Sequence, residues 1–188
     1  MKLNKALTTV NKCLGDDDIA IFSGKELCVL AAKFNRKNVL YLNSTKAALA
    51  ITTGIANAVE NRVVFFCTAD TLIGELSTAA QAAASKCFNL FVVVFDSGKC
   101  LYTGTPSISS AVSSLTGILF GMGFKVHNYT PHFDIGIAHK EIPLIWDTAQ
   151  GPVLSFIEVD HTKYNAKTFK NAVAVNTESF RKATWHLS

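Results

Sequence analysis

The 188 residues are 49% hydrophobic and 17% charged, with a formal net charge of +4. This length and apolar content are enough for one well-buried domain, and they exclude a disordered chain. Lys and Arg are scattered, which argues against the clustered basic stripe of a nucleic-acid-binding protein. No apolar run reaches the roughly 18 residues that a membrane span requires. We therefore expect one globular domain with neither nucleic acid nor membrane as a partner.

The sequence contains five cysteines, an odd number, and no CxxC pair. Most of them lie within apolar patterns, which favours reduced, buried thiols over disulfides or a zinc site. The first ten residues lack the continuous apolar stretch of a signal peptide. These features together predict a cytoplasmic protein.

Six apolar runs alternate with helical patterns along the chain. The middle runs are apolar on both faces, as strands covered by helices on both sides must be. Strand, helix and strand repeated five times predict a single α/β domain with a doubly wound, mostly parallel sheet and helices on both faces. The predicted strands are residues 18–23, 38–42, 62–67, 88–95, 124–129 and 152–159.

The segments between the strands are each long enough for a crossover helix. In "FGMG", residues 120–123, glycine favours the end of a helix because it adopts the left-handed cap conformation. The loop "FSGKEL" after the first strand lacks the GxGxxG pattern, so we do not expect an NAD site. The predicted domain covers residues 1–160. Residues 161–188 form a C-terminal tail, which we expect to dock on the core or on a neighbouring subunit because an exposed Trp185 would forfeit its burial energy.

Ligands of parallel sheets bind beyond the carboxyl ends of the strands, so the loops at these ends are where function is expected. They read "FSGKEL", "LNSTKAALAITTGIANA", "CTADTLIGELSTAAQ" and "FDSGKCLYTGTPS". Taken in order, and together with the closing "GPVLSFIEV", they resemble the diphosphate-binding domain of thiamine diphosphate enzymes. The resemblance is closest to the phosphonopyruvate and sulfopyruvate decarboxylases, and it extends over residues 5–160.

In that family a G-D-G turn and a later asparagine supply oxygen ligands to Mg²⁺, which bridges the two phosphates of the cofactor. Here "TAD" (68–70) takes the place of G-D-G, and "DSG" (96–98) takes the place of N-N-G. The resemblance therefore implies that Asp70 and Asp96 ligate Mg²⁺ and that Gly98 belongs to the thiamine diphosphate site. The alternative is that both aspartates make only turn hydrogen bonds, as aspartate at the start of a loop commonly does.

The family's G-S-M-G turn, which surrounds the diphosphate, appears here as "NSTK" (43–46). Ser44 keeps its place as a cofactor-binding candidate. Lys46 could attract a phosphate as a point charge or fill the space that a phosphate would occupy. Counting along the third strand places Ala69, rather than Asp70, at the position of the family's metal aspartate. Both glycines of G-D-G are replaced, which hinders close approach of the backbone to the phosphates.

The remaining polar candidates have simpler interpretations. Glu75 is expected to be a first-turn dipole partner of its helix rather than a general base. Cys100 occupies a loop position where the relatives often carry histidine, but no base partner is evident for it. "TGTPS" (103–107) matches a family segment that leads into the next helix. The histidines at positions 127, 132, 139, 161 and 186 show no metal-binding spacing. No residue is assigned a catalytic role.

Two functions remain open from the sequence. The first is the diphosphate-domain subunit of a two-chain thiamine diphosphate-dependent 2-oxo acid decarboxylase, a lyase. The glutamate that activates the cofactor in that family must then come from a pyrimidine-domain partner subunit. The second is a catalytically inactive relative that binds no cofactor and serves as a structural protein in a homo-oligomer or a larger assembly. The sequence leaves open whether the chain is an enzyme.

Overall fold

A computed structural model describes residues 1–100, 104–111, 114–129, 135–148, 151–161 and 180. Its six strands are β1 (Ile19–Ser23), β2 (Val39–Leu42), β3 (Val63–Thr68), β4 (Leu90–Asp96), β5 (Lys125–Tyr129) and β6 (Val153–Glu158). They form one sheet in the order β2-β1-β3-β4-β6-β5, in which every adjacent pair is parallel. The predicted single α/β domain with a parallel sheet is confirmed.

Seven α-helices lie among the described residues. They are α1 (Leu3–Asn11), α2 (Lys25–Ala31), α3 (Ala48–Ala58), α4 (Ala69–Ile73), α5 (Leu76–Ala84), α6 (Leu115–Gly121) and α7 (Ile135–Thr148). Short 3₁₀ helices span Ala32–Phe34 and Ile108–Ala111. In the described part of the chain no helix combines the length and apolar character that crossing a bilayer requires.

Both faces of the sheet are covered by helices. One core packs the sheet against α1, α2 and α7, and the other packs it against α3, α4, α5 and α6. Every residue of β1 is buried, as are all but the last residues of β3 and β4. Successive residues of a strand face opposite sides, so strands buried on both sides must be apolar throughout. This explains why the central runs show no polar alternation.

The buried face of α1 and the end of α6 follow directly from local sequence. Residues Leu3, Ala6, Leu7 and Val10 of α1 recur at helical spacing and are all buried, although the sequence analysis did not predict this helix. α6 ends at Gly121, and Gly123 has a φ of +106°, which only glycine adopts without strain. The predicted helix stop in "FGMG" is therefore present.

The amino ends of the strands are tied together by Arg62, which immediately precedes β3. Its Nε and Nη2 donate to the two carboxylate oxygens of Asp18 at 2.9 and 2.8 Å, and its Nη1 donates to Asp147 at 2.9 Å. The guanidinium carbon also lies 5.3 Å from the ring centroid of Trp146. This network links β1, β3 and α7 at the edge opposite the carboxyl ends.

Four cysteines, namely Cys13, Cys28, Cys67 and Cys87, are buried free thiols, as the sequence predicted. Burial raises the pKa of the Cys28 thiol to about 12 and that of the Cys13 thiol to about 11. The Cys13 and Cys28 thiols are therefore protonated and unreactive at neutral pH, since the thiolate is the nucleophile.

The two ends of the predicted domain meet in the fold. The ammonium group of Met1 lies 2.7 Å from a carboxylate oxygen of Asp160, and the amide of Asp160 donates to the carbonyl of Met1 at 2.7 Å. Within the predicted tail, Phe180 packs against the core on the α3 side of the sheet. Trp185 lies outside the described residues, so the docking of the tail stays a prediction.

Candidate functional site

The carboxyl ends of β3 and β4 lie side by side. Thr68 is paired with Phe95 at the end of the parallel ladder, so both chains leave the sheet at the same edge. Their exit segments open on one cavity of about 260 Å³. Its lining includes Glu26, Thr45, Thr68, Ala69, Asp70, Thr71, Phe95, Asp96, Ser97, Lys99, Cys100 and Ser107. The structure therefore brings Asp70 and Asp96, the two predicted metal ligands, to one cavity.

The turn after β3 differs in shape from a glycine-rich turn. The Thr68 hydroxyl caps α4 by accepting from the amide of Thr71 at 3.4 Å, and the two threonine hydroxyls lie 3.0 Å apart. The last residue pair between β3 and β4 is Thr68 with Phe95. Continuing this register by one residue places Ala69 beside Asp96. Ala69 is only 1% exposed and belongs to the apolar core. Asp70 lies one residue further along, in the first turn of α4.

The Asp70 carboxylate is bound by the segment that follows the β4 loop. Its Oδ1 accepts hydrogen bonds from the Ser107 hydroxyl at 2.5 Å and from the backbone amide of Ile108 at 2.8 Å. Ser107 is buried, whereas the Ile108 side chain is 61% exposed. Asp70 therefore anchors the 3₁₀ turn at Ile108–Ala111 to the end of β3.

The Asp96 carboxylate is held in a similar way. Its Oδ1 accepts from the amide of Gly98 at 2.9 Å, which is the predicted turn hydrogen bond, and from the Ser109 hydroxyl at 3.0 Å. The Ser107 and Ser109 hydroxyls lie 2.6 Å apart. We call the pair of hydroxyls of Ser107 and Ser109, which joins Asp70 to Asp96, the serine bridge.

One oxygen of each aspartate remains outside these contacts. All the hydrogen bonds given above for Asp70 and Asp96 are made to Oδ1. Among the described residues, the Oδ2 atom of neither side chain accepts a hydrogen bond. Asp96 makes the predicted turn hydrogen bond, with the amide of Gly98, whereas the partners of Asp70 lie 37 and 38 residues away in the sequence, so the hydrogen bonds of Asp70 are not those of a turn.

The phosphate candidates are placed less favourably. Ser44 and Lys46 are both exposed, and the Ser44 hydroxyl accepts from the Lys46 amide at 3.0 Å. Of the segment 43–46, only Thr45 lines the cavity. Gly98 has a φ of +64°, and its backbone amide donates a hydrogen bond to the Asp96 carboxylate. Among the described residues, Lys99 is the cation that lines the cavity, and it was not among the predicted site residues.

Glu75 is a dipole partner, but of a different helix from the one predicted. It lies between α4 and α5 and makes no capping bond to α5. Its buried carboxylate instead accepts from the amides of Ala48 and Leu49 at the start of α3, at 3.0 to 3.2 Å. A negative charge is stabilised there by the unpaired amides and the helix dipole. The predicted role within its own helix is therefore wrong, because the carboxylate of Glu75, the residue that directly precedes α5, binds the start of α3 instead.

The other candidates do not complete a catalytic group. Cys100 is half-buried and lines the cavity, and its amide donates to the carbonyl of Thr105 at 2.8 Å. His139 is far along the chain from this loop and contacts the Cys13 sulfur at 3.6 Å. Positions 132 and 186 lie outside the described residues. Within the described ranges, no group of three or more His, Cys, Asp or Glu side chains could hold a metal ion by itself.

The comparisons with known proteins concern the fold. No protein-family model and no curated protein matches the sequence. Solved structures do match. One is a protein from Mycobacterium smegmatis assigned as a thiamin diphosphate-dependent enzyme, which matches with a TM-score of 0.67 and 15% identity. The match covers 85% of this chain and 32% of that one. The chain shares the fold of thiamin diphosphate-dependent enzymes.

Two further structures belong to the same fold. Transketolase from Campylobacter jejuni matches with a TM-score of 0.61 and 14% identity over 97% of this chain and 37% of that one. The 2-oxoglutarate:ferredoxin oxidoreductase from Magnetococcus marinus matches with a TM-score of 0.66 and 14% identity. The match covers 95% of this chain and 65% of that one. This chain therefore spans about a third of the first two neighbours and 65% of the third. The particular closeness to phosphonopyruvate and sulfopyruvate decarboxylases stays a prediction.

Proposed function

We propose that this chain is the diphosphate-side subunit of a two-chain thiamine diphosphate-dependent enzyme that acts on a 2-oxo acid. The single observation that carries the proposal is the cavity shared by Asp70 and Asp96 at the carboxyl ends of β3 and β4. In a parallel α/β sheet this edge is where ligands bind. The fold shared with thiamin diphosphate-dependent enzymes supports thiamine diphosphate as the ligand.

The donor set fits a magnesium–diphosphate group. Mg²⁺ is typically bound by one or two carboxylates together with phosphate oxygens and water, rather than by a cage made only of protein. Asp70 and Asp96 supply two carboxylates, and each is fixed through Oδ1. This arrangement supports ligation through the two Oδ2 atoms. Lys99 adds a cation that would attract a phosphate.

When bound, thiamine diphosphate would supply the chemistry at the 2-oxo acid carbon. This chain's contribution is to hold the metal and the phosphates and to orient them. The only acids among its described cavity-lining residues are Glu26, Asp70 and Asp96, and two of these are assigned to the metal. We assign the group that activates the cofactor to a pyrimidine-domain partner subunit, as the resemblance to the family implies.

A partner is also supported by the size of the chain and by its surface. The chain spans about a third of two structural neighbours, which supports a site completed by a domain or chain beyond these residues. Ile108, whose amide binds Asp70, leaves an apolar side chain 61% exposed next to the cavity residue Ser107. Burial of that side chain by a partner would be favourable.

A titration with Mn²⁺, a paramagnetic substitute for Mg²⁺, tests the proposal. We expect the purified chain to bind Mn²⁺ in the presence of thiamine diphosphate, as measured by water proton relaxation. Asp70→Asn and Asp96→Asn should each weaken binding by at least about tenfold, because each removes a charged ligand. Asp147→Asn, at the opposite edge, is the matched control and should bind as the unsubstituted chain does. Equal binding by all four proteins, or none by the unsubstituted chain, would refute the proposal.

A second candidate is supported by the turn after β3. Ala69, which follows the last residue pair between β3 and β4, is buried, and the glycines of the family's G-D-G turn are replaced by Thr68 and by either Asp70 or Thr71. These features favour a catalytically inactive relative that serves as a structural protein. That protein would bind no Mn²⁺ in the titration and would sediment as a stable homo-oligomer or as part of a larger complex.

A further inference from the structure

We propose that Ser107 and Ser109 are positioning residues that set the spacing and orientation of the Asp70 and Asp96 carboxylates for a divalent cation. This inference rests on the proposed function, and it adds two residues to the site. The Ser107 hydroxyl donates to Asp70 Oδ1 at 2.5 Å, the Ser109 hydroxyl donates to Asp96 Oδ1 at 3.0 Å, and the two hydroxyl oxygens lie 2.6 Å apart. Each hydroxyl has one proton, so the contact between the two hydroxyls is not a third hydrogen bond while both donate to the carboxylates. The chain Asp70–Ser107–Ser109–Asp96 is thus continuous from the end of β3 to the end of β4.

The serine bridge is built into a closed loop rather than being a chance surface contact. Ser107 and Ser109 are 5% and 8% exposed. The Ser107 amide donates to the carbonyl of Gly98 at 3.1 Å, and the Gly98 amide donates to Asp96. The Ser109 amide donates to the Ser107 hydroxyl at 3.1 Å. The loop that leaves β4 therefore folds back, and its end binds the carboxylate from which it started.

This arrangement has a chemical consequence for the two aspartates. Carboxylates that ligate metals are themselves hydrogen-bonded to surrounding residues, which orient them. In both aspartates the serine hydroxyl binds Oδ1, together with one backbone amide. Because each Oδ1 is held from two directions, rotation of the carboxylate is restricted, and Oδ2 is kept in one position. A hydrated cation between the aspartates would then find its ligands already oriented.

The serine bridge also explains how Asp70 and Asp96, which follow or end different strands, could act together. Asp70 is 37 residues from Ser107, and Ser109 is 13 residues from Asp96. Removal of either hydroxyl breaks the link between the strands but leaves each aspartate with its backbone amide. We therefore expect a loss of metal affinity without loss of the fold.

The test uses the full chain with Mn²⁺ and thiamine diphosphate. Ser107→Ala and Ser109→Ala should each weaken Mn²⁺ binding by about 10- to 100-fold, the range typical of residues that orient metal ligands. Ser109→Thr, which keeps a hydroxyl, should restore most of the affinity. Ser114→Ala, which removes a hydroxyl that caps α6 by accepting from the Gly117 amide, is the control for general loss of stability and should leave Mn²⁺ binding unchanged.

The outcomes separate this inference from the proposed function. If the unsubstituted chain binds Mn²⁺ and both alanine variants bind it equally tightly, the positioning role is refuted and the proposed function survives. If affinity falls equally in the Ser114→Ala control, the effect is one of stability and the positioning role is again refuted. If the unsubstituted chain itself binds no Mn²⁺, the proposed function fails, and the positioning role fails with it.

Discussion

Both carboxylate oxygens of Glu75 accept a hydrogen bond from the backbone amide of Leu49, at 3.2 and 3.0 Å. Glu75 is buried, and one of these oxygens also accepts from Ala48. Glu75→Ala should therefore lower the free energy of unfolding by about 2 to 3 kcal/mol, because buried amides lose a charged acceptor. Urea unfolding followed by circular dichroism measures the change.

Glu75→Gln is the matched comparison for this prediction. It keeps one acceptor oxygen but removes the charge that the start of α3 favours, so we expect a loss of about 1 kcal/mol. A change below about 0.3 kcal/mol for the alanine variant would show that Glu75 does not cap α3 in solution.

Arg62 should be the most important charged residue at the amino ends of the strands. Its partner Asp18 is 9% exposed, and removal of the guanidinium leaves that carboxylate buried without a cation. Arg62→Met is expected to cost about 3 kcal/mol, whereas Asp147→Asn, which removes a partner that is 68% exposed, should cost less than about 1 kcal/mol. Equal costs in urea unfolding would contradict this assignment.

Alkaline pH should destabilise the fold through its buried thiols. Burial raises the pKa of Cys28 from 9.0 to about 12, so the folded protein keeps this proton while the unfolded chain releases it. The stabilisation is complete below about pH 9 and is lost as the pH rises toward the folded value, by about 1.4 kcal/mol per pH unit.

Urea unfolding at pH 7.5, 9 and 10 measures this decline. Cys28→Ala should show a shallower decline above pH 9, because one buried thiol no longer titrates in the unfolded chain. An unchanged slope in this variant would mean that other groups cause the alkaline transition.

Ala69→Asp tests whether the position level with Asp96 has become part of the core. Ala69 is almost completely buried, so a carboxylate there should cost about 3 kcal/mol, and Mg²⁺ with thiamine diphosphate should not restore the loss. Ala80→Asp, at an exposed position of α5, is the control and should change stability by less than about 0.5 kcal/mol. Recovery of Ala69→Asp by Mg²⁺ and the cofactor would show that residue 69 still faces the ligand.

The fold could be predicted because each buried strand is indicated by residues that are consecutive in the sequence. Phe65 and Phe66 are adjacent, and both are fully buried, on opposite sides of β3. Such runs, apolar on both faces, indicate a parallel sheet covered by helices.

The details of the site could not be predicted because its contacts are distant in sequence. "TGTPS" indicated only the approach to a helix, whereas Ser107 binds Asp70 from 37 residues away. No local pattern identifies that partner, since serine after proline is common in loops. Glu75 was assigned to its own helix for the same reason, and the structure pairs it with Ala48, 27 residues earlier.

The most direct measurement is the anomalous scattering of Mn²⁺ in crystals of this chain grown with thiamine diphosphate. We expect a manganese peak between the carboxyl ends of β3 and β4, at bonding distance from Asp70 and Asp96 and adjacent to the cofactor's phosphates. A map without that peak, in which the serine bridge is intact and diphosphate density is absent from the cavity, would contradict it.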